Sequence, residues 1–199
     1  PSISYTRTDV RVNGTDGTAS DFRTYRGEVS ANVGYEWGTA LDTRVGLRFG
    51  LGETDRLTGS GGSTGSFNIG SADARLIYDT LDNVSFPNDG NLIRANIGAS
   101  QTALGADSNY TKFDVAAVHA LTWDANTLVV SAGGGTALSG QLPTYDRLQV
   151  GGLFNLSGYS RNELSTENLL RGNLLYLRRL SKRSPLFFDL PLYAGASFE

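Results

Sequence analysis

The sequence predicts an all-β fold, an antiparallel transmembrane β-barrel, and three observations support this prediction. Apolar and polar residues alternate with a period of two, which is typical of strands. The alternating segments run about 10–15 residues, whereas strands of soluble sheets usually have about five or six. One face of each segment is apolar and the other polar, as expected where a strand separates lipid from a wet lumen.

Composition excludes several classes of protein. The chain has 199 residues, 25 Gly, no Cys and no Met, with 39% hydrophobic residues and a net charge of −3. Without cysteine there is neither a disulfide framework nor a thiolate metal site, and no run approaches the roughly 18 apolar residues of a spanning helix. Scattered basic residues argue against nucleic acid. We therefore expect no nucleic-acid partner, no metal and no cofactor.

Nine strands are predicted along the chain. Five alternate clearly: Thr24–Trp37, Leu41–Glu53, Ser71–Asp79, Asn91–Thr102 and Tyr110–Trp123. Four more are expected at about 2–12, 127–138, 169–180 and 186–199, the last two with a less regular phase. No segment has a convincing 3.6-residue period, so helix should be nearly absent.

The connections alternate in length. The short set is Gly38–Ala40, Leu81–Gly90, Asp124–Asn126 and Ser181–Pro185. The long set is Asn13–Asp21, Thr54–Gly65 and Gly140–Asn168. Outer-membrane barrels have short periplasmic turns and longer extracellular loops, so the short set should be periplasmic.

Aromatic residues support this orientation independently. Four of them stand on apolar faces at strand ends that lead into short connections: Tyr35, Trp37, Tyr78 and Trp123. Aromatic rings at one common level form an interfacial girdle in membrane barrels. The competing explanation is a chance placement of strand-end aromatics in a soluble barrel.

Nine is an odd number of strands, whereas bacterial barrels usually have an even number and no free edge. In lipid, each unpaired backbone group costs several kcal/mol. We therefore expect 1–199 to be a partial outer-membrane barrel domain, with strands before Pro1, after Glu199, or both.

One motif surrounds the turn after the third clear strand. Tyr78-Asp79-Thr80-Leu81-Asp82-Asn83 leads through Phe86-Pro87 to Asp89-Gly90. This resembles the turn of the bacterial surface antigen superfamily, whose members assemble or secrete proteins at the outer membrane. Asp and Asn side chains can cap such a turn, while Pro87 fixes φ and Gly90 allows a positive φ. The turn residues singled out are Tyr78, Asp79, Asp82, Asn83, Pro87 and Gly90.

A second motif lies in the longest connection, where residues 151–159 read Gly-Gly-Leu-Phe-Asn-Leu-Ser-Gly-Tyr. It is similar to the loop that folds into the lumen in this superfamily. The resemblance makes the loop tip Gly151, Gly152, Leu156, Ser157, Gly158 and Tyr159. Together with Leu175–Leu180, it is most similar to the barrel of patatin-like phospholipase autotransporters. That subgroup implies an N-terminal lipase, a transport-associated repeat and a 16-stranded barrel, of which this chain would hold about nine strands, the fifth to thirteenth.

The motif departs from the family pattern at its tip. The family's tip arginine typically pairs with an acidic residue on the strand corresponding to 186–199, but this chain has Ser157. Glu199 lies near the expected acidic position and is a possible wall partner. Ser157 or Tyr159 could donate a hydrogen bond to it, or Arg161 could supply the charge. Otherwise the tip is held only by packing of Phe154 and Tyr159.

Several patterns suggest chemistry without supporting it. The G-x-S-x-G motif at 61–65 lacks the preceding apolar strand and following helix of a nucleophile elbow, so we expect no catalytic residue. His119 is the only histidine and lies in an apolar phase, which argues against zinc. Asp79 and Asp82 are better explained by turn capping than by catalysis. The glycines at 133–135 are followed by no helix that could bind phosphate and should instead let the inserted loop approach the wall.

The polar phases predict a mixed-charge lumen, which serves either solvation or transport: Arg44, Arg48, Asp73, Arg75, Arg94 and Asp114. The resulting hypothesis is a bacterial outer-membrane barrel that anchors or translocates an attached or partner polypeptide. It is no enzyme itself, although the full-length protein of the patatin-like subgroup carries a lipase. Expected partners are outer-membrane lipid, a passenger domain or secreted polypeptide, and a possible second copy in a homo-oligomer. The alternatives are a barrel for two-partner secretion or protein assembly, and a soluble β-rich binding module.

Overall fold

A computed structural model describes residues 1–13, 19–60, 64–181 and 192–199. Their eleven strands belong to one sheet in the order β11-β10-β7-β6-β5-β4-β3-β2-β1-β9-β8. The strands are β1 Ser2–Asn13, β2 Ala19–Trp37, β3 Leu41–Thr58, β4 Gly65–Asp79, β5 Gly90–Ser100, β6 Tyr110–Trp123, β7 Asn126–Ser139, β8 Leu148–Val150, β9 Leu164–Thr166, β10 Asn168–Ser181 and β11 Leu192–Phe198. The nine longest are those predicted, and they pair as antiparallel neighbours.

The predicted boundaries were wrong at the long-loop end, because β3 continues to Thr58 and β4 begins at Gly65. There some cross-strand pairs are polar, as between Thr24 and Thr54, whose hydroxyls are 3.1 Å apart, and the buried apolar residues Phe22 and Phe67 lie on the inward face. The outward apolar series on which the prediction rested therefore stops, although strand pairing continues. Residues 14–18 and 61–63, with most of the G-x-S-x-G motif, lie outside the described residues. So do 182–191, which hold most of the predicted Ser181–Pro185 turn and the start of the predicted last strand.

The connection between β7 and β10, residues 140–167, is called the lumen loop below. It contains a 3₁₀ turn at Thr144–Asp146 and the short strands β8 and β9. β9 pairs in parallel with β1, with Leu164 opposite Arg11. Neither short strand was predicted, since three residues are too few to show a period. A second 3₁₀ turn, Thr102–Leu104, replaces the end of the predicted Asn91–Thr102 strand.

The two faces of the sheet differ as predicted. Val33 and Leu51 are 71% and 68% exposed on the outward face, whereas the inward Ser71 is 2% exposed. Ten residue steps separate Gly27 from Trp37 on β2, which at about 3.3 Å per step and about 40° tilt covers roughly 25 Å of depth. That depth matches the apolar band of an outer-membrane barrel. Among the described residues, no helix is long and apolar enough to cross a bilayer.

Candidate functional site

The base of the lumen loop packs against the inward face of the sheet through an aromatic stack. The ring of Tyr145 lies on that of Phe67 in β4, with centroids 3.7 Å apart and planes 7° from parallel. Arg26 of β2 donates a hydrogen bond to the Tyr145 carbonyl at 3.4 Å. Phe67 is only 7% exposed, so the loop base covers apolar surface inside the barrel.

Asp146 adds polar contacts to this base. The Tyr110 hydroxyl donates to its carboxylate at 2.8 Å, and the Lys112 ammonium lies 3.3 Å from it. Both donors belong to β6, while Arg26 and Phe67 belong to β2 and β4, so the base contacts three separate strands. Neither Tyr145 nor Asp146 was predicted as a site residue. The sequence around them offers no regular period and no motif, only an aromatic residue two positions after Pro143.

Gly135 of β7 allows the loop to approach the wall. A Cβ atom placed there would lie 2.8 Å and 3.0 Å from the two terminal carbons of Leu148. Leu148 is 8% exposed and packs with Tyr110 and Leu142. The predicted role of this glycine segment is therefore confirmed at Gly135.

The tip of the loop follows a tightly turned path. Gly151 and Gly152 have φ values of 131° and 104°, and Phe154 and Leu156 have 61° and 81°. Left-handed conformations of this kind, in residues other than glycine, cost of order 1–3 kcal/mol each. They persist because surrounding contacts hold them, among them the Phe154 N–H donating to Ser157 Oγ at 3.1 Å.

The tip is attached to the wall through Ser157 and Glu199. The Ser157 hydroxyl donates to one carboxylate oxygen of Glu199 at 2.5 Å, and the Ser157 N–H donates to the other at 2.6 Å. Of the alternatives raised by the sequence, the structure shows the serine-to-carboxylate contact. A second tip contact joins Asn155 to the Arg171 guanidinium of β10.

The return of the loop is fixed to β1. Arg11 lies 2.8 Å from Asp21 and 3.3 Å from Glu163. Ser165 donates to the Arg11 carbonyl at 2.9 Å. Base, tip and return therefore each have their own contact with the sheet.

The lumen wall carries the predicted mixture of charges. Arg48 lies 3.2 Å from Asp73 and 3.4 Å from Glu28. Arg44 pairs with Asp42 at 2.7 Å. These arginines, with Arg75, Asp73 and Asp114, line a polar cavity of about 340 Å³. Arg94 lies on the same inward face, directly opposite Ile77.

The short turn after β4 is held by its own side chains, as its sequence predicted. The backbone N–H groups of Asn88 and Asp89 donate to Asp82 at 2.8 Å and 3.1 Å, and these bonds hold the pKa of Asp82 below its ordinary value. Asn83 accepts from the N–H groups of Ser85 and Phe86. The Asp79 carboxylate accepts a hydrogen bond from the Leu81 N–H at 3.0 Å. Gly90 has a φ of 108°.

The predicted girdle residues all point outward at the end of the barrel with the short turns, which is called the turn end below. Their exposed fractions are 64% for Tyr35, 58% for Trp37, 37% for Tyr78 and 44% for Trp123. Tyr176 of β10 extends the row and was not predicted as a member. His119 also points outward, where its ring nitrogen lies 2.9 Å from the Asn91 amide oxygen.

Fold and site together define an outer-membrane β-barrel with a loop inserted into its lumen. Residues 2–196 match the model of the Omp85 superfamily domain. The chain therefore belongs to the Omp85 superfamily of the bacterial outer membrane, whose barrels serve protein assembly and secretion. This confirms the superfamily predicted from the two motifs and excludes the soluble binding module.

One solved structure similar to this chain is that of BamA from Haemophilus ducreyi lacking POTRA domains 1–3. The TM-score is 0.71 at 13% identity, so the similarity concerns the fold. The match covers 98% of this chain and 45% of the other. A search of curated proteins found no match.

Proposed function

We propose that this chain anchors or translocates an attached or partner polypeptide, with the lumen loop as the gate of the barrel. The observation that carries the proposal is that separate contacts attach the base and the tip of the loop inside the lumen. The base is fixed by the part-buried contacts of Tyr145 and Asp146, and the tip by Ser157 on Glu199. A loop whose base and tip are attached separately can release one and keep the other.

The tip contact is the one suited to release. Ser157 and its partner are exposed, so water can compete for both hydrogen bonds, and breaking them exposes no apolar surface. The base covers Phe67, and exposing that ring would lose apolar burial as well. We therefore infer that the tip swings away from the wall while the base acts as the hinge.

The finer assignment rests on the sequence. We propose that residues 1–199 form part of the barrel domain of a patatin-like phospholipase autotransporter, about nine strands of sixteen. The second candidate is a barrel for two-partner secretion or protein assembly. The sequence before Pro1 in the full-length protein distinguishes the two candidates. A lipase domain there would support the autotransporter, and transport-associated repeats alone would support the secretion or assembly barrel.

Crosslinking the tip to the wall tests the gate. This chain contains no cysteine, so Ser157→Cys and Glu199→Cys introduce one reactive pair in the full-length protein, provided that any other cysteine is first replaced. A reducible bifunctional thiol reagent should join them, stop export of the attached or partner polypeptide, and permit it again after reduction.

Each single-cysteine variant treated with the same reagent is the matched control and should export normally. The gate is contradicted if the crosslinked double variant exports at the uncrosslinked rate. If no polypeptide is exported by any variant, including the untreated parent, the barrel is an anchor without transport.

A further inference from the structure

Arg178 lies on the outward face of β10 and has no acidic partner among the residues that the structure describes. Arg171 and Glu199 contact the lumen loop, so alternation places Leu174, Tyr176 and Arg178 on the opposite, outward face. Arg178 lies near the end of β10, at the turn end of the barrel. Its side chain therefore extends toward lipid at the membrane boundary.

Other outward arginines of the sheet are neutralised. Arg23 lies 2.8 Å from Asp9, and Arg11 lies 2.8 Å from Asp21. Arg178 has no ion pair or hydrogen bond within the described part of the chain. Its cross-strand neighbours are uncharged, Asn126 on one side and Ala194 on the other.

Two aromatic residues flank this arginine. Asn126 pairs with both Arg178 and Trp123, which puts the three in one row across β10, β7 and β6. The Tyr176 hydroxyl donates to Asn126 at 2.7 Å, which fixes its ring beside the row. The Trp123 indole N–H has no acceptor among the residues described, whereas that of Trp37 donates to Thr43 at 2.9 Å. Two side chains therefore present unused donors at one level.

The positive charge and the free donors of this site favour an anionic ligand. A guanidinium has five N–H donors and binds phosphate through two of them, and a charge facing lipid is stable only near the interface or with a counter-charge. Trp123 and Arg178 are two strand spacings apart, about 10 Å, which accommodates one lipid headgroup. The outward Leu174 and Phe198, 42% and 78% exposed, offer apolar surface to its acyl chains.

We propose that Arg178, Trp123 and Tyr176 form a binding site for the phosphate of a glycerophospholipid in the leaflet at the turn end. Arg178 binds the phosphate, the Trp123 N–H donates a further hydrogen bond, and Tyr176 holds Asn126 between them. The site depends on the outer-membrane location of the barrel and not on its transport activity.

The experiment uses the full-length protein, delipidated in detergent and titrated with phosphatidylglycerol under native mass spectrometry. Arg178→Gln should weaken binding of the first phosphatidylglycerol by about tenfold, the loss expected for one charge-assisted contact. Arg179→Gln is the matched control, since Arg179 adjoins Arg178 and points into the lumen, and it should bind as the parent does. Diacylglycerol, which lacks phosphate, should show no difference among the three proteins.

Equal binding by the parent and Arg178→Gln would overturn the proposal, and so would an equal loss in Arg179→Gln, which would indicate only general charge attraction. Should Arg178→Gln not fold, as judged by its heat-dependent gel mobility, Trp123→Phe replaces it. That variant removes one donor and keeps the ring, and it should weaken phosphatidylglycerol binding and leave diacylglycerol unchanged. Unchanged phosphatidylglycerol binding there would overturn the proposal in the same way.

Discussion

Substitution of Gly135 by valine should release the lumen loop from the wall. A Cβ atom at Gly135 would lie 2.8 Å from a Leu148 carbon, 0.6 Å closer than the 3.4 Å at which ordinary contact begins (3.4 − 2.8). Leu148 is buried against Tyr110 and Leu142 and has little room to move. Overpacking of this kind costs about 1–3 kcal/mol. Valine also favours strands by up to about 1 kcal/mol over glycine, so the clash should exceed the gain.

The assay is cleavage by trypsin after Arg161 of the lumen loop. The Arg161 side chain is exposed, but its place inside the barrel should protect it from the protease. Cleavage of a transiently opened segment follows its equilibrium population, and a net loss of about 1.4 kcal/mol raises that population about tenfold. Gly172→Val is the control: it points outward, where an added Cβ meets its nearest atom, the Ser131 carbonyl oxygen, at 4.0 Å. It gains the same strand preference without the clash and should be cleaved no faster than the parent.

The contact between Gly135 and Leu148 can be tested further by combining Gly135→Val with Leu148→Ala. Leu148→Ala alone should destabilise the attached loop by about 2–5 kcal/mol. In the double variant the added methyl groups enter the space that leucine has left. The loss of stability in the double variant should therefore be smaller than the sum of the two single losses by at least about 0.5 kcal/mol. Equal cleavage of Gly135→Val and Gly172→Val, or strictly additive losses in the double variant, would refute the close approach.

Two further predictions concern the loop base and the short turn. Tyr145→Ala should lose the stack on Phe67, about 0.5–1.5 kcal/mol beyond its buried area, and so speed cleavage of the loop. Tyr145→Phe keeps the ring and should be cleaved more slowly than Tyr145→Ala; identical rates for both would show that the stack does not hold the loop. The folded-state pKa of Asp82 is lowered, so its contribution to the turn is present above its unfolded pKa, near 4, and is lost as pH falls through the lower folded value. Hydrogen exchange at the Asn88 and Asp89 N–H groups, corrected for its intrinsic pH dependence, should show protection that declines over that acidic range in the parent. In Asp82→Asn the protection should be low at every pH. Protection that does not change with pH in the parent would contradict the role of the Asp82 carboxylate.

The strands and the turn motif could be predicted because their signals are local. Alternation within one segment sets the two faces of a strand, and in a wall between lipid and water those faces differ strongly in polarity. The Asp82 turn is likewise contained in fewer than ten residues, each bonded to a near neighbour. Prediction failed where the outward apolar series stops, as beyond Thr54 on β3, because a strand that has left the lipid no longer needs an apolar outward face.

The loop contacts could not be derived in the same way, because their partners are distant in the chain. Tyr145 lies 78 residues from Phe67 (145 − 67), and nothing in either segment indicates the other. Only a feature with a local peculiarity could be read, such as Gly135 in a run of three glycines where a strand should carry side chains. Ser157 is intermediate: the sequence showed that the expected arginine is replaced, and the structure shows that its hydroxyl and backbone N–H both bind Glu199. Replacing an ion pair by two hydrogen bonds to a single carboxylate makes the tip contact less dependent on salt, because only one of the two partners is charged.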